Sequence, residues 1–291
     1  MIQQYFLGCP IWANREWVGE FFSPDARPAD FLKQYADVLN TVEGNNTFYG
    51  LPKKDTVKRW YAETPANFRF SFKFPKTISH KYKLGYTDKL LAEFLDTMSP
   101  LAEKLGILFL QLPPGFGSEG LPALARFLEQ LPGEFEYSVE VRNEDFFREN
   151  GAGAALNELL ANRNVNRAIF DTAVLHEMES DDPFVIAAQK RKPKMPTQFV
   201  ATGNHPFVRF VGHNTVKPNL PFLQQLAVTV ASWIEGGRAP FVFFHSPNDF
   251  YAPHLCRAFH QILKEKLTSV DVGNFPAFPA ERRDGEQLSL F

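Results

Sequence analysis

Phe68-Arg69-Phe70-Ser71-Phe72-Lys73-Phe74 alternates without a break. On an extended chain its four phenylalanines share one face, and Arg69, Ser71 and Lys73 share the other. The apolar face needs a packed layer over it. The charged face needs partners or water. Similar apolar runs recur at residues 5–9, 38–43, 107–112, 137–142, 167–171, 207–211 and 241–245. They lie roughly 30 to 40 residues apart, the length of one βα unit. Helical patterns fill the gaps at 29–37, 54–63, 88–105, 121–130, 154–163, 220–235 and 254–267. Eight strands alternating with helices over 291 residues predict a (β/α)8 TIM barrel. One domain is expected over residues 1–275, followed by a polar tail over 276–291.

Composition narrows the functional classes. A net charge of −2 provides no global field for nucleic acid or membrane. The two cysteines, Cys9 and Cys256, make neither a disulfide framework nor a Cys-rich zinc site. No apolar run reaches roughly 18 residues, and the N-terminus lacks a secretory pattern. A cytoplasmic protein without membrane contact is the expectation. No GxGxxG or P-loop follows the first strand, so no nucleotide cofactor is implied.

In a barrel, helices cover one strand face and the packed interior covers the other. The phenylalanine-rich face is expected outward and the polar face inward. The last inward positions are then Glu43 or Asn45, Lys73, Gln111, Glu140 or Arg142, Asp171, Arg209 and His245. Only the Gly8-Cys9 strand end lacks such a residue. Barrel active sites lie at these C-terminal strand ends, so convergence of ionisable groups there reads as a site. A structural ion-pair network is the alternative.

The stretch Thr41-Val42-Glu43-Gly44-Asn45-Asn46-Thr47-Phe48-Tyr49, with Leu51-Pro52, resembles the YecE-like family of unknown function, whose members are TIM barrels. So do Trp60, Thr64-Pro65, Phe68 to Lys73, Ser79-His80, Gln111-Leu112-Pro113-Pro114, Val139-Glu140-Val141-Arg142, Asp171 and Val208-Arg209-Phe210. The resemblance runs over nearly the whole chain and implies the barrel. It implies no reaction. His245-Ser246-Pro247-Asn248 departs from the family's Asn-bearing pattern after the last strand.

Three readings of the rim follow. In the first, Lys73, Arg142 and Arg209 hold an anionic, phosphate-bearing substrate. Glu43, Glu140 and Asp171 then serve as catalytic acid–base groups. Asn45, Thr47, Tyr49, His80, Gln111 and His245 complete substrate binding. Glu43→Gln is expected to affect ligand binding more than stability. The second reading, a metal-dependent hydrolase, takes Glu43, Glu140, Asp171 and His245 as ligands of a divalent ion. It ranks below the metal-free one because three cations share the rim.

The third reading starts at Gln287-Leu288-Ser289-Leu290-Phe291, which matches the pentapeptide of bacterial proteins that dock on the DNA sliding clamp. Gln287 would set register while Leu288, Leu290 and Phe291 enter apolar pockets. Four cations in Lys190-Arg191-Lys192-Pro193-Lys194 lie in the long segment before the seventh strand. A short solvated loop is their commoner meaning. Together with the tail they support a DNA-associated protein, a repair-type phosphodiesterase or binding module.

Overall fold

The computed structural model describes residues 5–148 and 151–282. Its parallel strands are β1 (Phe6–Cys9), β2 (Thr41–Gly44), β3 (Arg69–Lys73), β4 (Leu105–Gln111), β5 (Glu136–Glu140), β6 (Asn166–Asp171), β7 (Phe207–Val211) and β8 (Phe241–His245). Each pairs with its sequence neighbours, and β8 pairs with β1 to close the barrel. The expected (β/α)8 architecture is the observed one.

The helices are α1 (Phe31–Ala36), α2 (Lys54–Ala62), α3 (Asp88–Met98), α4 (Leu121–Glu129), α5 (Ala152–Ala161), α6 (Ala173–Glu177), α7 (Pro183–Arg191), α8 (Leu220–Glu235) and α9 (Ala252–Lys266). Each of the longer ones buries a stripe at helical spacing: Val57 and Trp60 in α2, Leu124, Phe127 and Leu128 in α4. The long helix expected over 88–105 ends as α3 at Met98. Pro100 stands in the first turn of the 3-10 segment that follows, Ser99–Lys104. Between β6 and β7 the chain forms α6 and α7, neither foreseen. Their signal was present: Asp182 accepts the Phe184 amide (2.8 Å) and Pro183 opens α7, a cap followed by a first-turn proline.

The β3 phenylalanines do face outward. Trp60 of α2 stacks on Phe72 at 5.7 Å between centroids, and Phe74 meets Phe94 and Phe127 of α3 and α4. The inward face is less polar than expected. Phe6, Ile107, Phe109, Ala168, Phe207, Phe241 and Phe243 fill the lower barrel as one apolar plug. Polar side chains occupy the layer above it, at the strand C-termini. Gly8 is the inward residue at the end of β1. A Cβ there would lie 2.1 Å from the Thr41 carbonyl oxygen, so this strand adds backbone and no side chain to that layer.

Residues 276–282, expected as the start of a free tail, pack on the barrel. Phe278 is buried against Phe21, Ala280 N donates to Phe21 O, and Glu281 accepts both terminal nitrogens of Arg257. The expected clamp-docking residues Gln287, Leu288, Leu290 and Phe291 lie outside the described residues.

Candidate functional site

Arg209 stands at the centre of the mouth. It enters from β7 and holds Glu43 of β2 through two hydrogen bonds, Nη2 to Oε1 (2.6 Å) and Nε to Oε2 (2.8 Å). Its Nη1 donates to Glu140 Oε2 of β5 (2.6 Å), so one guanidinium ties opposite walls of the barrel. Arg142 donates through Nε to the other Glu140 oxygen. Asn45 Nδ2 and His245 Nε2 complete the shell of Glu43, donating at 2.7 and 3.3 Å. Lys73 Nζ donates to Gln111 Oε1 of β4 (2.7 Å). Eight residues read as rim groups therefore meet: Glu43, Asn45, Lys73, Gln111, Glu140, Arg142, Arg209 and His245.

Below and beside them are aromatic faces. Phe170 lies 3.5 Å from the Arg142 guanidinium and 5.4 Å from that of Arg209, and Phe109 is 5.3 Å from Arg209. The Phe48 ring caps Lys73, centroid to Nζ 3.8 Å.

Electrostatics assign unequal tasks to these groups. Burial works to raise both carboxylates, and the cations prevail. Arg209, then His245, hold Glu43 well below the usual carboxylate range, and Arg142 with Arg209 hold Glu140 at about 2. Neither carboxylate is a base near neutrality; each is a fixed anion that orients arginine. Burial, then the nearby Arg209 charge, pulls Lys73 down to about 8. Burial also lowers His245 from its ordinary value, against the pull of Glu43, so it is neutral at pH 7.

Asp171, expected in the ring, is elsewhere. The β6–β7 register pairs Phe170 with Arg209 and Asp171 with Phe210. Phe210 faces the helices, so Asp171 does too. Its Oδ1 accepts from the Ala173 amide (3.0 Å) and the Thr197 hydroxyl (2.9 Å), and burial raises its pKa. Arg167, four residues earlier, binds Asn157 Oδ1 and Phe146 O on the same outer side. All six β6 residues are buried, so alternation alone left the inward face undetermined.

The set expected for a divalent ion therefore comes apart. Asp171 points away, and Arg209 occupies the oxygens of Glu43. Among the described residues no three His, Cys, Asp or Glu side chains stand together as metal ligands.

Thr47 is a brace: its hydroxyl donates to Lys73 O at 2.6 Å, fixing the β2 loop to β3. Tyr49 is 83% exposed and stands beside Phe48, whose ring also meets His80 edge-on at 5.1 Å. His80 contacts Ser79 Oγ through Nδ1 (2.8 Å); burial, then Lys73, lowers its pKa. Tyr49 and His80 thus lie outside the ring, each beside Phe48. Cys9 is buried 3.7 Å from Cys256, and among the described residues no base hydrogen-bonds its thiol. Trp17 is fully buried, its Nε1 donating to Asp249 O and Phe250 O.

Three participants were not legible in advance. Phe48 and Phe170 were hidden among 30 phenylalanines. Lys192 was read as part of a solvated loop, yet Lys190 and Arg191 end α7 and Lys192 turns toward the mouth. It is half-buried, its carbonyl faces His176 Nε2 at 3.0 Å, and its charge interacts with Arg209, Asp249 and Glu43. Burial, then Arg209, brings it to about 8.

Comparison with known proteins agrees with this architecture. The profile of "Protein of unknown function DUF72" matches residues 6–281. UPF0759 protein YecE of Escherichia coli strain K12 is 39% identical over 286 residues, 98% of this chain and 99% of that protein. Crystal structures of DUF72 proteins from Thermotoga maritima MSB8 and Enterococcus faecalis V583 superpose with TM-scores of 0.67 and 0.68, at 23% and 20% identity. They cover 89% and 94% of this chain, and 99% of each of those chains. At that identity the structural likeness speaks for the fold alone. Matched by the family profile over nearly its whole length and sharing more than a third of its residues with YecE, the chain belongs to the DUF72 family of TIM-barrel proteins.

Proposed function

We propose that the barrel mouth binds a small anionic, phosphate-bearing substrate and moves a proton on it through Lys73. One observation carries this reading: the charges gathered at the mouth do not cancel. Lys73, Arg142, Lys192 and Arg209 face only Glu43 and Glu140, with Asp249 within electrostatic range of Lys192 and no ion pair between them among the described residues. Arg209 is consumed by its carboxylates. Arg142 uses only Nε, so among the described residues its terminal nitrogens have no hydrogen-bond partner. A desolvated cation surplus with unfilled donors is what an oxyanion satisfies.

The proton-handling role falls to Lys73 because its pKa lies near working pH, whereas Glu43 and Glu140 remain ionised. Glu43 and Glu140 are positioning residues in this scheme; they aim Arg209 and Arg142. Asp171 has no part in it.

Calorimetric titration with ribose 5-phosphate tests the proposal. Wild type should bind, and Arg142→Gln should weaken binding by roughly tenfold or more, the worth of a charge-assisted hydrogen bond. Equal affinity in wild type and Arg142→Gln, or no binding at millimolar ligand, would overturn it.

A further inference from the structure

Beside the ring, with Phe48 in its lining, a cleft of about 640 Å³ opens between the loops that follow β2 and β3. Phe48, Tyr49 and His80 supply its aromatic walls, Lys76 and Lys81 its cations, and Glu93 a hydrogen-bond acceptor. Phe48 is a shared neighbour: Lys73 Nζ lies 3.8 Å from its centroid, and the His80 and Tyr49 ring centroids lie 5.1 and 5.2 Å away. An anion at Lys73 and a flat group against Tyr49 or His80 would both adjoin Phe48, within reach of one ligand.

We infer that this cleft seats a nucleobase, so that the phosphate-bearing ligand of the mouth is a nucleotide. The inference rests on the anion-binding reading above and adds its substrate class. The surrounding surface has the same character. Tyr82 and Tyr86 on the β3–α3 loop are 45% and 100% exposed, interspersed with Lys81 and Lys83. Exposed aromatics alternating with lysines offer stacking faces and phosphate contacts together. The loop is also held against its preference: Lys83, Leu84 and Tyr86 have φ of 47°, 69° and 54°, a left-handed conformation that side chains with a Cβ seldom adopt. Strain of this kind persists where the surrounding structure enforces it, and it gathers at ligand sites. No glycine-rich phosphate loop is required, because the phosphate is assigned to Lys73 and Arg142.

The test compares AMP with ribose 5-phosphate, which differs only in lacking the base, by calorimetry on the full chain. AMP should bind about tenfold more tightly. Tyr49→Ala and His80→Ala should each reduce that advantage, and thermal melts should match wild type for the exposed Tyr49 position. Equal affinities for AMP and ribose 5-phosphate, or an AMP advantage that survives both substitutions, would overturn the nucleobase cleft and leave the anion site standing. Failure of both ligands to bind would remove both. A 5′-phosphorylated oligothymidylate, compared with dTMP, identifies the source of the nucleotide. Tighter binding that depends on Tyr82 and Tyr86 assigns a strand terminus, and equal binding assigns the free nucleotide; either result upholds the base-seating cleft.

Discussion

Replacing Glu43 with glutamine changes one buried charge and almost no volume, so its consequence is electrostatic. In wild type Glu43 is fully buried and accepts from Arg209 twice, from Asn45 and from His245. Glutamine keeps one carbonyl acceptor and turns the other position into a donor that faces the guanidinium. Arg209 is left with Glu140, which it already shares with Arg142. Removing one partner of a buried pair costs about 3–5 kcal/mol, most of it the uncompensated charge that remains.

For a chain of 291 residues that corresponds to a fall in melting temperature of about 5–8 °C. The sequence alone suggested an effect on ligand binding with little on stability; the geometry makes stability the larger effect. Differential scanning calorimetry at pH 7 and pH 9 measures it. The deficit should be smaller at pH 9. Deprotonation of Lys73, whose pKa is about 8 and which loses a favourable Glu43 contact in the variant, relieves the positive surplus. Adding Arg209→Met should cost less than the sum of the single changes, by at least about 1 kcal/mol. A melting temperature for Glu43→Gln within about 2 °C of wild type would refute the view that this pair holds the mouth together.

Two further outcomes are expected. Affinity for the phosphate ester should rise from pH 6 to 7 as the ligand loses its second proton, at about pH 6, and fall as pH rises through about 8, because Lys73 and Lys192 both lose their protons there; bound anion favours their charged forms, so calorimetry near pH 8 should register proton uptake. Gly8→Ala should lower stability by about 3 kcal/mol or abolish soluble protein, since its Cβ would meet the Thr41 carbonyl at 2.1 Å; a wild-type melting temperature would contradict that contact.

Strand count, barrel class and most of the charged layer were legible in the chain because each depends on local alternation and spacing. Phe68 to Phe74 declares both its faces, and Tyr137 to Arg142 does the same for Glu140. Where a strand is buried throughout, alternation carries no sign. Asn166 to Asp171 could point Asp171 either way, and only pairing with β7 turned Phe170 inward and Asp171 out.

The sequence by itself also determined that Glu43, Lys73, Glu140, Arg142 and Arg209 would end up at one end of the molecule, since every strand of a parallel barrel finishes on the same rim. Which carboxylate meets which guanidinium belongs to the tertiary structure. Glu43 and Arg209 are 166 residues apart and meet at 2.6 Å. Their roles as fixed anion and clamped cation follow from that contact and from burial, neither of which exists until the barrel closes. The same holds for Lys192. A basic run was visible along the chain, but only the packing of α7 decided that one of its lysines turns toward the mouth.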